Sequence, residues 1–538
     1  MTGERRRDIL IVAVFTLLIM APFWAKAYHI DEPFFLDLAR QILRRPGGPL
    51  PGGAASDIGA IPWPRINNNP PLLLYLLAGA LRATGGGELP MRLAFFPLDL
   101  VAALSLYLLA ARFLARPLLP TLIVLSSPAY LVNMNHLMTE KLAAAFGFAA
   151  LYALVRGCDE DSPGWQVASA LLLDAALLSK YLAVFLLPVA AFFLWSRGAS
   201  ARRIAGYCGL AVLGLGGFLV RDLATGGAVL RGVGAVSSGA AHAFWSHWSH
   251  RTRSFLACAG GCSAGALAWP LLAAPGSRRR TALWAAAAAV AAALFSPWLD
   301  LAPGVRIVDR LMGAFFAWGA VCCFAQVLAG SGRVRGGGLW AAWLVSAGVL
   351  TFSYWSIMAR TVLFLLPPMV FSGAAGLEPR LPRRALTRLY GATLAVTLSL
   401  ALAVAWVDWR YAGAQKAMAA EVTARYLTQG RRVWCAAHLG LRHYLLESGA
   451  REMDGSQASW DRVGRGDVVV SSRTNLRLAP PRRPLLSNVL TLRVDCALPL
   501  RLISGWGGEG GFYSSISGFL PFTISREPLE EFVIIEVL

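Results

Sequence analysis

Residues 28–45 read YHIDEPFFLDLARQILRR and set two adjacent carboxylates, Asp31 and Glu32, directly after the first apolar segment of the chain. Phe34, Phe35, Leu38, Ile42 and Leu43 follow Pro33 at helical spacing, with Asp37, Arg40, Gln41, Arg44 and Arg45 between them. That pattern predicts an amphipathic helix lying on a membrane surface. Proline suits the first turn of a helix, and a carboxylate ahead of it satisfies free N–H groups and the positive end of the dipole. Taken alone, the motif serves a capped interfacial helix as well as an acidic catalytic loop, and the surrounding chain has to decide between them.

Of 538 residues, 56% are hydrophobic and only 15% charged, so the chain lies well outside the range of soluble globular domains. Many apolar runs reach the roughly 20 residues that cross a bilayer. A formal charge of +20 would also suit a nucleic-acid binder, but the arginines stand in short clusters between apolar runs. That is the distribution of positive-inside loops, and it sets nucleic acid aside as a partner. Lysine is rare: Lys26, Lys141, Lys180 and Lys416 are the whole set. Six of the eight cysteines fall in or beside apolar runs without metal-site spacing, while Cys435 and Cys496 share the polar C-terminal region. The run Ile9–Trp24 is longer than most signal-peptide cores, which predicts an uncleaved first helix.

Apolar runs and basic clusters together predict an all-α polytopic membrane domain, residues 1–407, with about thirteen transmembrane helices. Helix 1 (9–27) leads to a long outer loop, 28–92, that carries the acid motif. Later segments include 117–134, 138–156, 165–179, 181–196, 204–220, 359–376 and 388–407. Each proposed inner loop carries arginine, which places the N-terminus in the cytoplasm. Residues 408–538 hold 13 of the 30 acidic residues and no membrane-length apolar run. Alternating strand and helix patterns there predict a small α/β domain, extracytoplasmic by the helix count.

At the outer ends of these helices polar residues gather. They comprise Asp31 and Glu32, then Trp63, Arg65 and Asn67–Asn69 before Pro70-Pro71, then Asn133, Asn135, His136, Thr139, Glu140 and Lys141. Ser179-Lys180-Tyr181 and Arg360 complete the set. Ionisable groups at one membrane level cost free energy unless paired or solvated, so they mark a site.

With these residues in view, the chain resembles the GT-C glycosyltransferases. HIDEPFFLDLARQI, NNNPPLLLYLLAGAL, SSPAYLVNMNHLMTEKLAAAF, LLSKYLAVFLLP and MARTVLFLLPP occur in that family's order. Within it the chain looks most like bacterial relatives of protein O-mannosyltransferases and lipid A aminoarabinose transferases. The resemblance implies transfer of a sugar, with inversion, from a polyprenyl-phosphate donor to a glycan, glycolipid or protein acceptor at the outer face of a bacterial inner membrane. It implies Asp31 as general base with Glu32 in support, and Lys180, Arg360, Arg65 and Arg221 as candidates to hold the donor phosphate. Asn69, Pro70, Tyr75, His136, Glu140 and Tyr181 would line the cavity. Relatives carry an aspartate just before the fourth helix, where this chain offers Thr139-Glu140-Lys141.

The bland readings stand beside these. Lys180 and Arg360 also suit basic side chains snorkelling at helix ends, and Asp99 and Asp174, inside predicted helices, suit ion pairs within the bundle. HAFWSHWSH, residues 242–250, matches no standard zinc spacing, so no divalent metal or other cofactor is expected. The rival from another class is a transporter or flippase of a lipid-linked or small anionic substrate. Transporters usually show repeated halves, and none is apparent here.

Overall fold

In the computed structural model the described residues are 3–44, 69–225, 230, 248–267, 269–272, 278–296, 304–354, 356–453, 457–474, 481, 486–504 and 508–538. Arg65, Trp63, Asn67 and Asn68 from the first outer loop fall outside them, as do His242 and His247.

The N-terminal helix α1 (Gly3–Met20) leads through the acid motif into α2 (Glu32–Arg44). Phe35, Leu36, Leu38, Ala39 and Ile42 of α2 are buried, as its periodicity predicts, and they pack toward α3 (Leu72–Thr84). Then come α4 (Glu88–Phe113), α5 (Leu118–Leu125), α6 (Pro128–Met134), α7 (Thr139–Asp159), α8 (Pro163–Ser179), α9 (Leu186–Ser196), α10 (Ala201–Ala211) and α11 (Leu213–Ala224). The second half holds α12 (Trp248–Cys262), α13 (Arg278–Leu294), α14 (Ile307–Ala329), α15 (Gly337–Ser353), α16 (Ala359–Leu377) and α17 (Arg383–Val422).

By length and composition, five described helices can cross a membrane (α4, α7, α14, α16 and α17, the last with its C-terminal extension), and a sixth counts if the bent pair α10–α11 is one span. The thirteen-segment reading differs for local reasons. Predicted helix 117–134 breaks at Ser126-Ser127, where the Ser127 side chain caps the Tyr130 N–H of α6 and Pro128 starts the new helix. Predicted helix 204–220 bends by 55° at Val212, where Asp174 accepts the Gly214 and Leu215 N–H groups at 2.8 and 3.0 Å. Helices α8 and α15 have 17 residues each, about 26 Å at 1.5 Å per residue, short of the roughly 30 Å hydrocarbon core.

The expected boundary at 407/408 falls inside α17, which runs unbroken for 40 residues. Beyond it a five-stranded sheet forms in the order β2-β1-β3-β7-β4, from β1 (Val433–Ala436), β2 (Arg451–Glu452), β3 (Val468–Ser472), β4 (Ser487–Val494) and β7 (Glu530–Val537). Strands β2, β1 and β3 are parallel, with α18 (Leu439–Glu447) between β1 and β2, while β7 runs antiparallel to β3 and β4. A two-stranded ribbon, β5 (Leu500–Arg501) with β6 (Thr523–Ile524), brackets a segment whose Phe512, Tyr513, Phe519, Leu520 and Phe522 join the core of the helical bundle. The C-terminal region therefore has an α/β sheet, as predicted, and also a strap that returns to the bundle.

Candidate active site

Ile30, a β-branched residue, sits at φ +53°, in the left-handed region such side chains rarely enter. Strain of that kind persists where the surroundings over-determine it, and here it directly precedes the acid pair. The two carboxylates end in opposite surroundings. The Asp31 side chain is 38% exposed, whereas Glu32 has no exposed surface.

Asp31 accepts from Arg360 Nη1 at 2.7 Å. Arg360 Nε stands 3.4 Å from Glu140 Oε1, which also takes Lys180 Nζ at 2.5 Å. Four residues from the acid loop and from α16, α7 and the end of α8 thus form one chain of alternating charge, Asp31–Arg360–Glu140–Lys180. Lys180 also lies over the Tyr354 ring, 5.7 Å from its centroid, and the Thr139 hydroxyl donates to Glu140. Glu140, one position into α7, supplies the carboxylate that the sequence left open at this turn. Its partner is Lys180; Lys141 pairs with Asp99 at 3.0 Å, as expected for an aspartate inside the bundle.

Behind this chain lies a second cluster. Glu32 takes Arg92 Nη2 at 3.0 Å and the N–H groups of Leu137 and His29 at 2.9 and 3.1 Å. Burial works against its charge, yet Arg92 and His136 hold the Glu32 carboxyl well below the usual carboxylate range. Glu32 therefore ties the acid loop to α4 and to the α6–α7 turn. Lys26 Nζ donates to Asp408 at 2.5 Å and meets His136 Nε2 at 2.9 Å; His29 Nε2 and the Tyr513 hydroxyl also reach Asp408. His29 and His136 stack with ring centres 4.8 Å apart. The ligand atoms of His29, His136 and Asp408 lie within 4.8 Å of one another, a spacing that suits a metal ion. Lys26 reaches two of the three, so the chain itself supplies positive charge there.

The remaining expected residues are placed as follows. His136 is fully buried in the anchor cluster and lines no surface. Pro70 is buried, Asn69 half-buried, and Tyr75 is exposed on α3. Tyr181 is half-buried, follows Lys180 directly, and its buried hydroxyl has no hydrogen-bond partner among the described residues. Arg221 is exposed in the last turn of α11. Sequence reading missed Lys26, His29, Arg92, Asp408 and Tyr513. A usable signal existed for two of them: Lys26 is one of four lysines, and Asp408 closes a long apolar run.

A helix bundle with an acidic loop at one end, crossed by cations from distant helices and followed by a small sheet, is a fold shared with solved structures. More narrowly, residues 68–220 match the family described as dolichyl-phosphate-mannose-protein mannosyltransferase. The fold is similar to that of ArnT from Cupriavidus metallidurans bound to undecaprenyl phosphate. The TM-score is 0.50 and the identity 14%, over 88% of this chain and 93% of that one. Matches also include AglB from Archaeoglobus fulgidus in complex with an inhibitory peptide and a dolichol-phosphate (TM-score 0.49, 12% identity, 87% of this chain and 69% of that one). The S. cerevisiae Pmt1-Pmt2 complex bound to the sugar donor matches with a TM-score of 0.33 and 17% identity, over 42% of this chain and 34% of that one. No curated protein matches the sequence.

Proposed function

We propose that this chain transfers a sugar from a polyprenyl-phosphate donor to an acceptor hydroxyl, with inversion at the anomeric carbon. The observation that carries the reading is the half-exposed Asp31 carboxylate held by Arg360, with Glu140 and Lys180 directly behind. In the proposed step the acceptor oxygen attacks the anomeric carbon while the bond to the phosphate oxygen breaks. Asp31 takes the hydroxyl proton, and the lipid phosphate leaves with the bonding electrons. A phosphate leaving group needs positive charge more than a proton, and among the described residues Arg360 and Lys180 are the cations within reach. Binding the donor means that these cations exchange part of their pairing with Asp31 and Glu140 for phosphate oxygens. The proposal includes a bacterial inner membrane, a cytoplasmic N-terminus and an extracytoplasmic sheet domain.

General-base help is worth about 10²–10⁴-fold. Asp31→Asn, with expression and thermal stability matched to the wild type, is expected to lower transfer from a polyprenyl-phosphate sugar by that factor. Lys180→Gln is expected to raise the KM for the lipid donor. Undiminished turnover in Asp31→Asn would remove Asp31 as the base.

A further inference from the structure

Two helices of the candidate active site, α4 and α7, meet two others at their far ends. Helix α4 ends at Phe113, α7 at Asp159 and α9 at Ser196, and α15 begins there at Gly337. The 21 residues of α7 put this end about 30 Å from Glu140. Between these termini lies a cavity of about 330 Å³ lined by Arg112, Arg197 and Arg335, the aromatic rings of Phe113 and Phe192, and, among the described residues, a single carboxylate, Asp159.

Its charge is not balanced. Asp159 is shared by Arg197 at 2.9 Å and Arg112 at 3.5 Å, and Arg112 also reaches Glu160 at 2.8 Å. Arg112 Nε is buried without a hydrogen-bond partner among the described residues. Arg335 is exposed and has neither hydrogen bond nor ion pair among the described residues. The wall beside it is backbone. At Gly336, φ +74°, a Cβ would meet the Phe113 ring at 2.4 Å, and at Gly337 it would meet the Gly330 carbonyl at 2.4 Å. Glycine therefore lets the main chain line the cavity directly, and α15 opens there with no side-chain cap on its first N–H groups. Arginine forks, uncapped amides and the positive end of a helix converge on one ligand chemistry, a phosphate oxyanion.

We propose that this cavity binds the phosphate-ester headgroup of an anionic membrane lipid in the leaflet opposite the acid motif. Its position selects a lipid over a soluble phosphate. The cavity lies at the end of the helical bundle, next to exposed Trp195, a residue type that settles at headgroup depth. The Phe192 ring lies tilted against Trp195, with ring centres 5.9 Å apart, and extends the apolar wall on which an acyl chain can lie. Arg335 supplies the charge not already used within the fold.

The inference rests on membrane embedding and not on sugar transfer, so its test measures lipid retention alone. The full chain, purified in detergent, is offered phosphatidylglycerol, phosphatidylcholine or inorganic phosphate without lipid, and bound molecules are counted by native mass spectrometry. Phosphatidylglycerol is expected to be retained over phosphatidylcholine, and Arg335→Gln to lower its retention about tenfold with no change in melting temperature. Arg197→Gln, which also releases Asp159, serves as the second variant and should lower retention further. Equal retention of the two lipids, or an Arg335→Gln protein that behaves as wild type, would overturn the proposal. Uptake of inorganic phosphate with no discrimination between lipids would overturn the assignment to a lipid headgroup.

Discussion

Asp31 and Glu32 share a peptide bond and little else. One faces outward to a guanidinium, while the other is sealed among Arg92, His29 and His136. The same separation explains why the acid loop should respond to pH. Burial pushes His136 below the ordinary imidazole range, and Lys26 beside it adds to that shift. A histidine lowered in the folded state binds fewer protons folded than unfolded, so its contribution is complete above about pH 6.5 and is lost as pH falls below that value. Glu32, held low by Arg92, moves stability in the same direction, but only on further acidification through the carboxylate range. The melting temperature of the purified protein is therefore expected to fall between pH 7 and pH 5. His136→Gln should flatten that decline; an unchanged slope would assign it to His438 and His443, which burial also lowers.

Individual helices were legible where periodicity carried them and illegible where a side chain elsewhere cut them. The amphipathic spacing of Phe35, Leu38 and Ile42 located α2, and the apolar runs located α4, α7 and α17. The bend at Val212 could not be read from 204–220, because the group that stabilises it is Asp174 on α8. The ion-pair partner of Glu140 was equally hidden. Lys141 is adjacent in sequence, but successive helical residues point to different faces, and the partner in space is Lys180. Glycine contacts make a test at this scale. A Cβ on Gly260 of α12 would lie 1.9 Å from the Phe316 carbonyl oxygen of α14, while one on Gly391 of α17 would meet nothing within 4 Å. Gly260→Ala should cost about 1–3 kcal/mol or more by forcing the two helices apart. Gly391→Ala should gain about 0.5–1 kcal/mol, since only the helix preference changes. Thermal unfolding of the two variants in one detergent compares them directly, and equal shifts would contradict the packing of α12 on α14.

Over the whole molecule, each of the four lysines is paired with a carboxylate from another element: Lys26 with Asp408, Lys141 with Asp99, Lys180 with Glu140 and Lys416 with Glu88. Two of these pairs, with Lys26 and Lys416, join α17 to the N-terminal half around the acid loop. The C-terminal helix α18 closes the same loop from outside. The Tyr444 hydroxyl accepts from the Tyr28 N–H at 2.7 Å and donates to Glu88 at 2.8 Å, and Arg40 of α2 reaches Glu447 at 2.6 Å. The sheet domain is thereby a buttress: it fixes the backbone three residues before Asp31, with none of its described side chains at the carboxylate chain. A buttress predicts a particular kinetic pattern. Tyr444→Phe leaves the Tyr28 N–H without its acceptor, which should cost about 1–3 kcal/mol of stability. Under the proposed transfer it should lower kcat through a looser Asp31, with the KM for the lipid donor unchanged because Arg360 and Lys180, the proposed phosphate contacts, are untouched. Glu447→Gln removes an ion pair whose carboxylate is 44% exposed and should change either quantity little, as surface pairs are worth about 0–1 kcal/mol. A Tyr444→Phe enzyme with normal kcat and raised KM would place α18 at the donor site instead, and the domain would then contact substrate rather than support the loop.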